Sequence, residues 1–366
     1  MNRRLFSVLA CLSLFSFPAE AKGRRPPFPG AVYTATNALS GNEILVFHRM
    51  HDGRLAPAGA VSTGGLGTGA DLGNQGGLIL TGDEKWLLAV NAGSDEISVF
   101  RVRRRGIELV HVEPSNGSVP ISLTEHDGLV YVLNAGSDSI TGFWLERDGD
   151  LSPISRSTRP LSGSGTGPAQ IQFDPRGKVL VVTEKNTNNI VTYEVDRSGR
   201  PGFAQVMDSN GETPFGFAFG KRGQLFVSEA FGGAPDASAV SSYDVDRGGE
   251  LETVSASVGT TETAACWVVV TRDGRFAYTT NTGSGSISGY SIEFDGEIEL
   301  LDADGRTGVT GSGSSPIDMS IAGRFLYSLN GGTGTVGVFR IAHDGSLLRL
   351  PFAAGLPAGV NGLAAR

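Results

Sequence analysis

The chain of 366 residues carries 30 Lys and Arg against 38 Asp and Glu, a formal charge of −8, and only two cysteines. An acidic balance of this kind argues against nucleic acid or an anionic lipid surface as the partner. Glycine, at 53 residues, is about double its usual share, yet it sits at regular boundaries and not in one low-complexity block, so it marks turns and not a linker.

At the amino end, Arg3 and Arg4 precede an apolar run over residues 5–17 and then Ala19-Glu20-Ala21, the order of an export signal with an A-x-A cleavage site. The run is shorter than the ~20 residues a membrane span needs. Residues 1–21 are therefore read as a signal peptide, residues 22–30 as a short linker and residues 31–366 as one domain. The expected location is the periplasm or the cell exterior, with no membrane contact after cleavage. Cleavage moves the formal charge from −8 to −9 and removes Cys11, leaving Cys266 without a disulfide partner.

A short phrase then recurs seven times: an Asn or Glu, a Gly-rich connection, and an alternating strand ending on Phe or Tyr. Its starting residues are Asn37, Asn91, Asn134, Glu184, Glu229, Asn281 and Asn330, spaced 43 to 54 residues apart, which is the period of a four-stranded propeller blade. In the third unit the strands are predicted over residues 120–125, 129–134, 139–145 and 151–156. Asp-Gly pairs punctuate the units at Asp52, Asp127, Asp148, Asp273, Asp295 and Asp344, as hairpin turns with positive φ at both central residues would require. The first unit has strands over 31–37, 42–49 and 55–62 but none before them, whereas residues 359–365 have the pattern of an innermost strand. The expected fold is all-β: a seven-bladed β-propeller of four-stranded antiparallel blades, closed by a carboxyl-terminal innermost strand that joins the amino-terminal blade.

Up-and-down blades collect the short Asp-Gly turns on one face and the Asn or Glu positions on the other, with the long connections 63–74, 157–167 and 304–315. That long-loop face is the candidate functional face. The repeated Asn is explained as a turn residue that tolerates left-handed backbone. Where symmetry breaks, Glu184, Glu229 and Lys185 are candidates for proton transfer and carbonyl polarisation, the alternative being an ion pair between blades. Around the channel mouth, Gln75, Gln170, Trp267, Asp318 and Phe215 are candidates for substrate binding. Trp267 is better explained as filler between blades than as a stacking platform, and Gln170 and Asp318 equally as caps on backbone groups. Cys266, on a strand, reads as an inert apolar group. No H-x-x-x-H or Cys/His cluster, phosphate loop or G-x-S-x-G elbow occurs, so neither a metal nor a cofactor is expected.

The phrases Trp86-Leu87-Leu88-Ala89-Val90-Asn91, Gly128-Leu129-Val130-Tyr131-Val132-Leu133-Asn134, Gly323-Arg324-Phe325-Leu326-Tyr327-Ser328-Leu329-Asn330 and Asp344-Gly345-Ser346-Leu347 carry a resemblance. Residues 31–366 resemble the lactonase-type seven-bladed propellers, which include 6-phosphogluconolactonase and carboxy-muconate cyclase relatives. The resemblance implies a small lactone or carbohydrate-derived ligand and, where there is catalysis, lactone hydrolysis. Members associated with that chemistry carry a His-Pro-His lead into an innermost strand. The counterpart here is Gly167-Pro168-Ala169-Gln170, with both histidines missing, and the 185–190 stretch lacks the Asp-Arg pair often found in the family. Two readings therefore stand: an exported lactonase-like propeller acting on a sugar-derived or carboxylated lactone, or a non-catalytic propeller holding a protein or glycan through residues 63–74 and 304–315. Catalysis, if present, falls to Glu184 or Glu229 as base with Lys185 at the carbonyl.

Overall fold

The computed structural model describes residues 28–366; the expected signal peptide, residues 1–21, and most of the expected linker, residues 22–27, lie outside them. Seven antiparallel sheets surround one axis. Blade one pairs Leu55–Ser62, Glu43–Arg49, Gly30–Ala35 and, innermost, Asn361–Ala365, so the carboxyl tail supplies the strand that the first unit lacks. The innermost strands of blades two to seven are Leu78–Leu80, Pro120–His126, Pro168–Phe173, Pro214–Phe219, Ala265–Val270 and Pro316–Ala322. Each touches the next around the ring, and the tail strand touches both Pro316–Ala322 and Leu78–Leu80.

Second strands such as Trp86–Asn91, Leu129–Asn134 and Phe276–Asn281 are buried along their whole length, because both faces of each sheet pack on neighbouring blades. Tyrosines on these strands tie one blade to the next: Tyr131 donates to Gly199 O at 2.6 Å, Tyr278 to Gly345 O at 2.7 Å and Tyr327 to Gly53 O at 2.9 Å. The last of these spans the chain ends, where blade seven meets blade one. The turn glycines are doubly constrained there. Gly53 has φ +88°, and a Cβ on it would lie 2.3 Å from the Phe325 ring.

Four sequence readings are corrected. Only Asp127-Gly128 has positive φ at both residues; the other Asp-Gly turns have it at glycine alone. There the aspartate instead accepts the N–H two residues on, as Asp52 does from Arg54 and Asp344 from Ser346, making an Asx turn. Of the repeated asparagines only Asn37 is left-handed. The others use their side chains: Asn91 donates to Ser98 and Asn281 to Ser288, and those serines donate to Thr63 O and Gly305 O in the long connections. Finally, blade two's innermost strand begins only at Leu78, because Gln75 leaves the sheet and crosses the axis, and blade three's outer strand is split into Leu151–Pro153 and Arg159–Pro160.

Candidate functional site

An innermost strand bonds its neighbour with one edge and presents the other edge to the axis, where its peptide groups need partners. At the level of Ser122, Gln170 and Asp318 those partners are side chains from the preceding blade. Ser122 accepts from Ile171 N at 3.1 Å. The Gln170 amide pairs with Phe217 through bonds of 2.7 and 2.9 Å, and Asp318 accepts from Leu363 N of the tail strand at 2.8 Å. Blade five has Gly216 at this position and blade six has Trp267, and neither can make the bond.

The segment 74–77 supplies the bond that Gly216 cannot make, while Met319 N of blade seven is met by Asp318 of its own strand. The Gln75 amide pairs with Val268 through bonds of 2.7 and 3.0 Å, lying in the space that Gly216 leaves open, and Asn74 O accepts from the Trp267 indole at 2.7 Å. A blade-two segment thus bonds blade six across the ring and plugs the axis.

This plug separates the residues singled out in the sequence into three groups. Gln75, Gln170 and Asp318 floor a cup of about 390 Å³ on the short-turn side, walled by the later halves of the innermost strands. Burial outweighs the two N–H bonds to Asp318, from Met319 and Leu363, and pushes its carboxyl up to about 8. Lys185, Phe215 and Trp267 lie on the other side, at the long-loop mouth. The Lys185 ammonium sits 4.8 Å from the Phe215 ring centroid and donates to Gly73 O. Its burial lowers its pKa, while the nearby Asp71 carboxylate acts in the opposite direction. Trp267, 2% exposed, packs at 4.9 Å against Phe215 and presents no open face for stacking. Cys266 beside it is buried, with its thiol pushed up to about 12.

Glu184 and Glu229 form the third group. Both are fully buried and hold connections rather than facing Lys185. Glu184 accepts from Ser162 N at 2.9 Å, from the Ser162 hydroxyl, and from Thr187 at 2.6 Å. Glu229 accepts from Gly211 N at 3.0 Å and from the hydroxyls of Ser241 and Ser257. Burial raises the Glu229 carboxyl above its ordinary range against those bonds. The expected convergence of two carboxylates and an ammonium is therefore not found, and among the described residues no ion pair forms between these carboxylates and Lys185 or another cation. The carboxylate next to Lys185 is the exposed Asp71, which sequence reading passed over. Its signal was faint: Gly73, Gly76 and Gly77 crowd one connection, the mark of close backbone approach. Among the described residues, no three His, Cys, Asp or Glu side chains converge as a cation cage would require.

Seven four-stranded antiparallel blades around a plugged axis, with a cup on one side and Lys185 on the other, define a seven-bladed β-propeller. The family profile described as lactonase, 7-bladed beta-propeller, matches residues 31–258 and 230–354, and the chain belongs to that family. The curated 6-phosphogluconolactonase of Bacillus subtilis (strain 168) is 36% identical over 84 residues, so the match spans only 23% of that relative's length and 23% of this chain. Among solved structures, a Bacteroides fragilis protein described as a candidate 6-phosphogluconolactonase superposes with a TM-score of 0.73 at 17% identity, covering 94% of this chain and 100% of its own. The periplasmic gluconolactonase PpgL of Pseudomonas aeruginosa gives 0.70 at 16% identity, covering 91% and 98%. At such identities these neighbours share the fold.

Proposed function

We propose that the chain binds and opens a small sugar-derived or carboxylated lactone at the long-loop mouth, around Lys185. Family membership supports the substrate class. The observation that carries the site is the ammonium itself: Lys185 is desolvated against Phe215, with Gly73 O as its one hydrogen-bond acceptor among the described residues. Its remaining N–H donors suit a lactone carbonyl, on which negative charge develops as water adds. Asp71 is the carboxylate placed to take the proton of that water. The new bond joins water oxygen to the acyl carbon, the ring C–O bond breaks, and the proton passes to the departing ring oxygen. Glu184 and Glu229 act in this reading as supports of the mouth's connections.

Hydrolysis of a panel of aldonolactones and carboxylated lactones, followed by acid release, tests the assignment. Lys185→Met should lower kcat/KM by about 100-fold or more and Asp71→Asn by at least about tenfold. Glu184→Gln and Glu229→Gln should lose stability while retaining kcat/KM. Turnover unchanged by Lys185→Met, or abolished by the glutamate variants in folded protein, overturns the assignment. Export is part of the same proposal, and the exported chain should begin at Lys22 on amino-terminal sequencing.

The second reading, a propeller that docks a protein or glycan without turnover, is favoured by Leu39 and Leu66, 69% and 42% exposed on the long-loop side. It requires that no lactone on the panel be opened and that Leu39→Ser with Leu66→Ser abolish retention of a partner.

A further inference from the structure

The cup on the short-turn side is walled off from Lys185 by the paired amides of Gln75 and Gln170 and has no role in the lactone chemistry above. Its wall has unused hydrogen-bonding capacity. By the two-residue period of a strand, the peptide groups of Phe219 and Val270 point toward the axis like those of Phe217 and Val268. Among the described residues the first pair is met by no side chain, whereas the second is saturated by Gln170 and Gln75. Gln172 and Ser320, both half-buried, line the same level, and the Gln172 amide nitrogen has no acceptor among the described residues.

The wall chemistry also limits what can bind. No Lys, Arg or His lines the cup. Of its two carboxyl groups, Glu125 is occupied by Gly82 N and Gly128 N, and Asp318 by Met319 N and Leu363 N. An anion would find no counter-charge. A cation would find only carboxyl groups already in use. Adjacent N–H and C=O groups with an amide and a hydroxyl suit molecules whose own groups both donate and accept. The volume, about 390 Å³, lies at the small end of ligand pockets, roughly 300–1,000 Å³.

We propose that this cup is a second binding site, for a neutral polyhydroxylated ring of monosaccharide size. Hydroxyls engage the Phe219 and Val270 peptide edges, Gln172 and Ser320, and the amide floor at Gln75 and Gln170 stops the ligand short of the mouth.

Calorimetric titration of the whole chain with methyl α-glucoside and with myo-inositol, neither of which is a lactone, tests the site, with gluconate as the charged comparison. Saturable binding of at least one neutral probe is expected in the native protein and in Lys185→Met. Affinity should fall about tenfold or more in Gln172→Leu, which keeps the volume, and in Ser320→Phe, which fills it. In Lys185→Met, where the mouth offers no ammonium, gluconate should bind at least about tenfold more weakly than the neutral probe. No saturable binding of either neutral probe, binding lost in Lys185→Met, affinity unchanged in folded Gln172→Leu, or gluconate binding as tightly as the neutral probe in Lys185→Met overturns the proposal. Because none of these readouts uses lactone turnover, the cup can fail while the mouth assignment stands, and the reverse.

Discussion

Asp318 carries the largest consequence at a single residue. Its carboxyl titrates near 3.8 in the unfolded chain and near 8 in the fold. Below the first value both states are protonated and it contributes no pH dependence. Between the two values the folded state keeps a proton that the unfolded state has lost, so stability falls as pH rises, by up to about 1.4 kcal/mol per pH unit. Asp318→Asn removes this slope but leaves one N–H, from Met319 or Leu363, without an acceptor, a cost of about 1 kcal/mol. The variant should therefore be less stable than the native protein below about pH 5 and more stable at pH 8 to 9, read from denaturant midpoints across that range. Parallel curves would falsify the assignment of this proton. The polar row containing Asp318 was visible in the sequence, and so was its possible use as a backbone cap. The direction of Glu184 and Glu229 was not. A strand end fixes which edge a residue occupies, but the partners of a buried carboxylate are set by connections such as 157–167 and by Gly211, whose paths no periodicity reveals.

Among the elements, the plug is the one without a repeat equivalent. Gly216 is small because Gln75 occupies the space beside it: a Cβ there would lie 2.1 Å from Gln75 Oε1 and 2.5 Å from Cys266 O. Gly216→Ala should destabilise by about 1–3 kcal/mol through overpacking, and Gln75→Ala by a similar amount through the two orphaned groups of Val268. Both substitutions act on one contact, so the double variant should fall short of the sum by at least about 0.5 kcal/mol. Equilibrium unfolding of the four proteins measures this, and strict additivity would show that Gln75 does not fill the space beside Gly216. The hairpins of each blade were legible because apolar alternation and Asp-Gly punctuation are local. The plug was not, because Gln75 meets Val268 across 193 residues and its only sequence trace is a glycine cluster. The innermost strand of blade two starts only at Leu78 for the same reason: Gln75 pairs across the axis, and Gly76 O accepts from Leu123 N of blade three.

For the whole molecule, counting strands was enough to expose the closure: six complete units, one unit lacking its innermost strand, and a leftover strand at the tail. In the fold, Asn361–Ala365 lies antiparallel to Gly30–Ala35, Arg366 N donates to Ala31 O at 2.9 Å, and Arg49 donates to Arg366 O at 2.8 Å. The ends thus meet where every other blade has its first-to-second turn. Deleting residues 359–366 exposes the edge of Gly30–Ala35, removes one of the two N–H donors to Asp318 and takes Leu363 from the core, so the truncated chain should lose cooperative unfolding rather than melt as a six-bladed remnant. A circular permutant separates loss of the strand from loss of chain order. Joining Arg366 to Phe28 through about four Gly-rich residues makes blade one an ordinary hairpin. New ends between the exposed Arg104 and Arg105 leave blade two to be closed by its own third and fourth strands, paired from Glu96 to Arg103. The permutant contains every strand contact of the native ring, so its Tm should lie within about 5 °C of the native value, while the truncation shows no sigmoidal melt. A permutant that fails to fold, or a truncation that melts cooperatively, would mean that the tail strand is not what holds the ring closed.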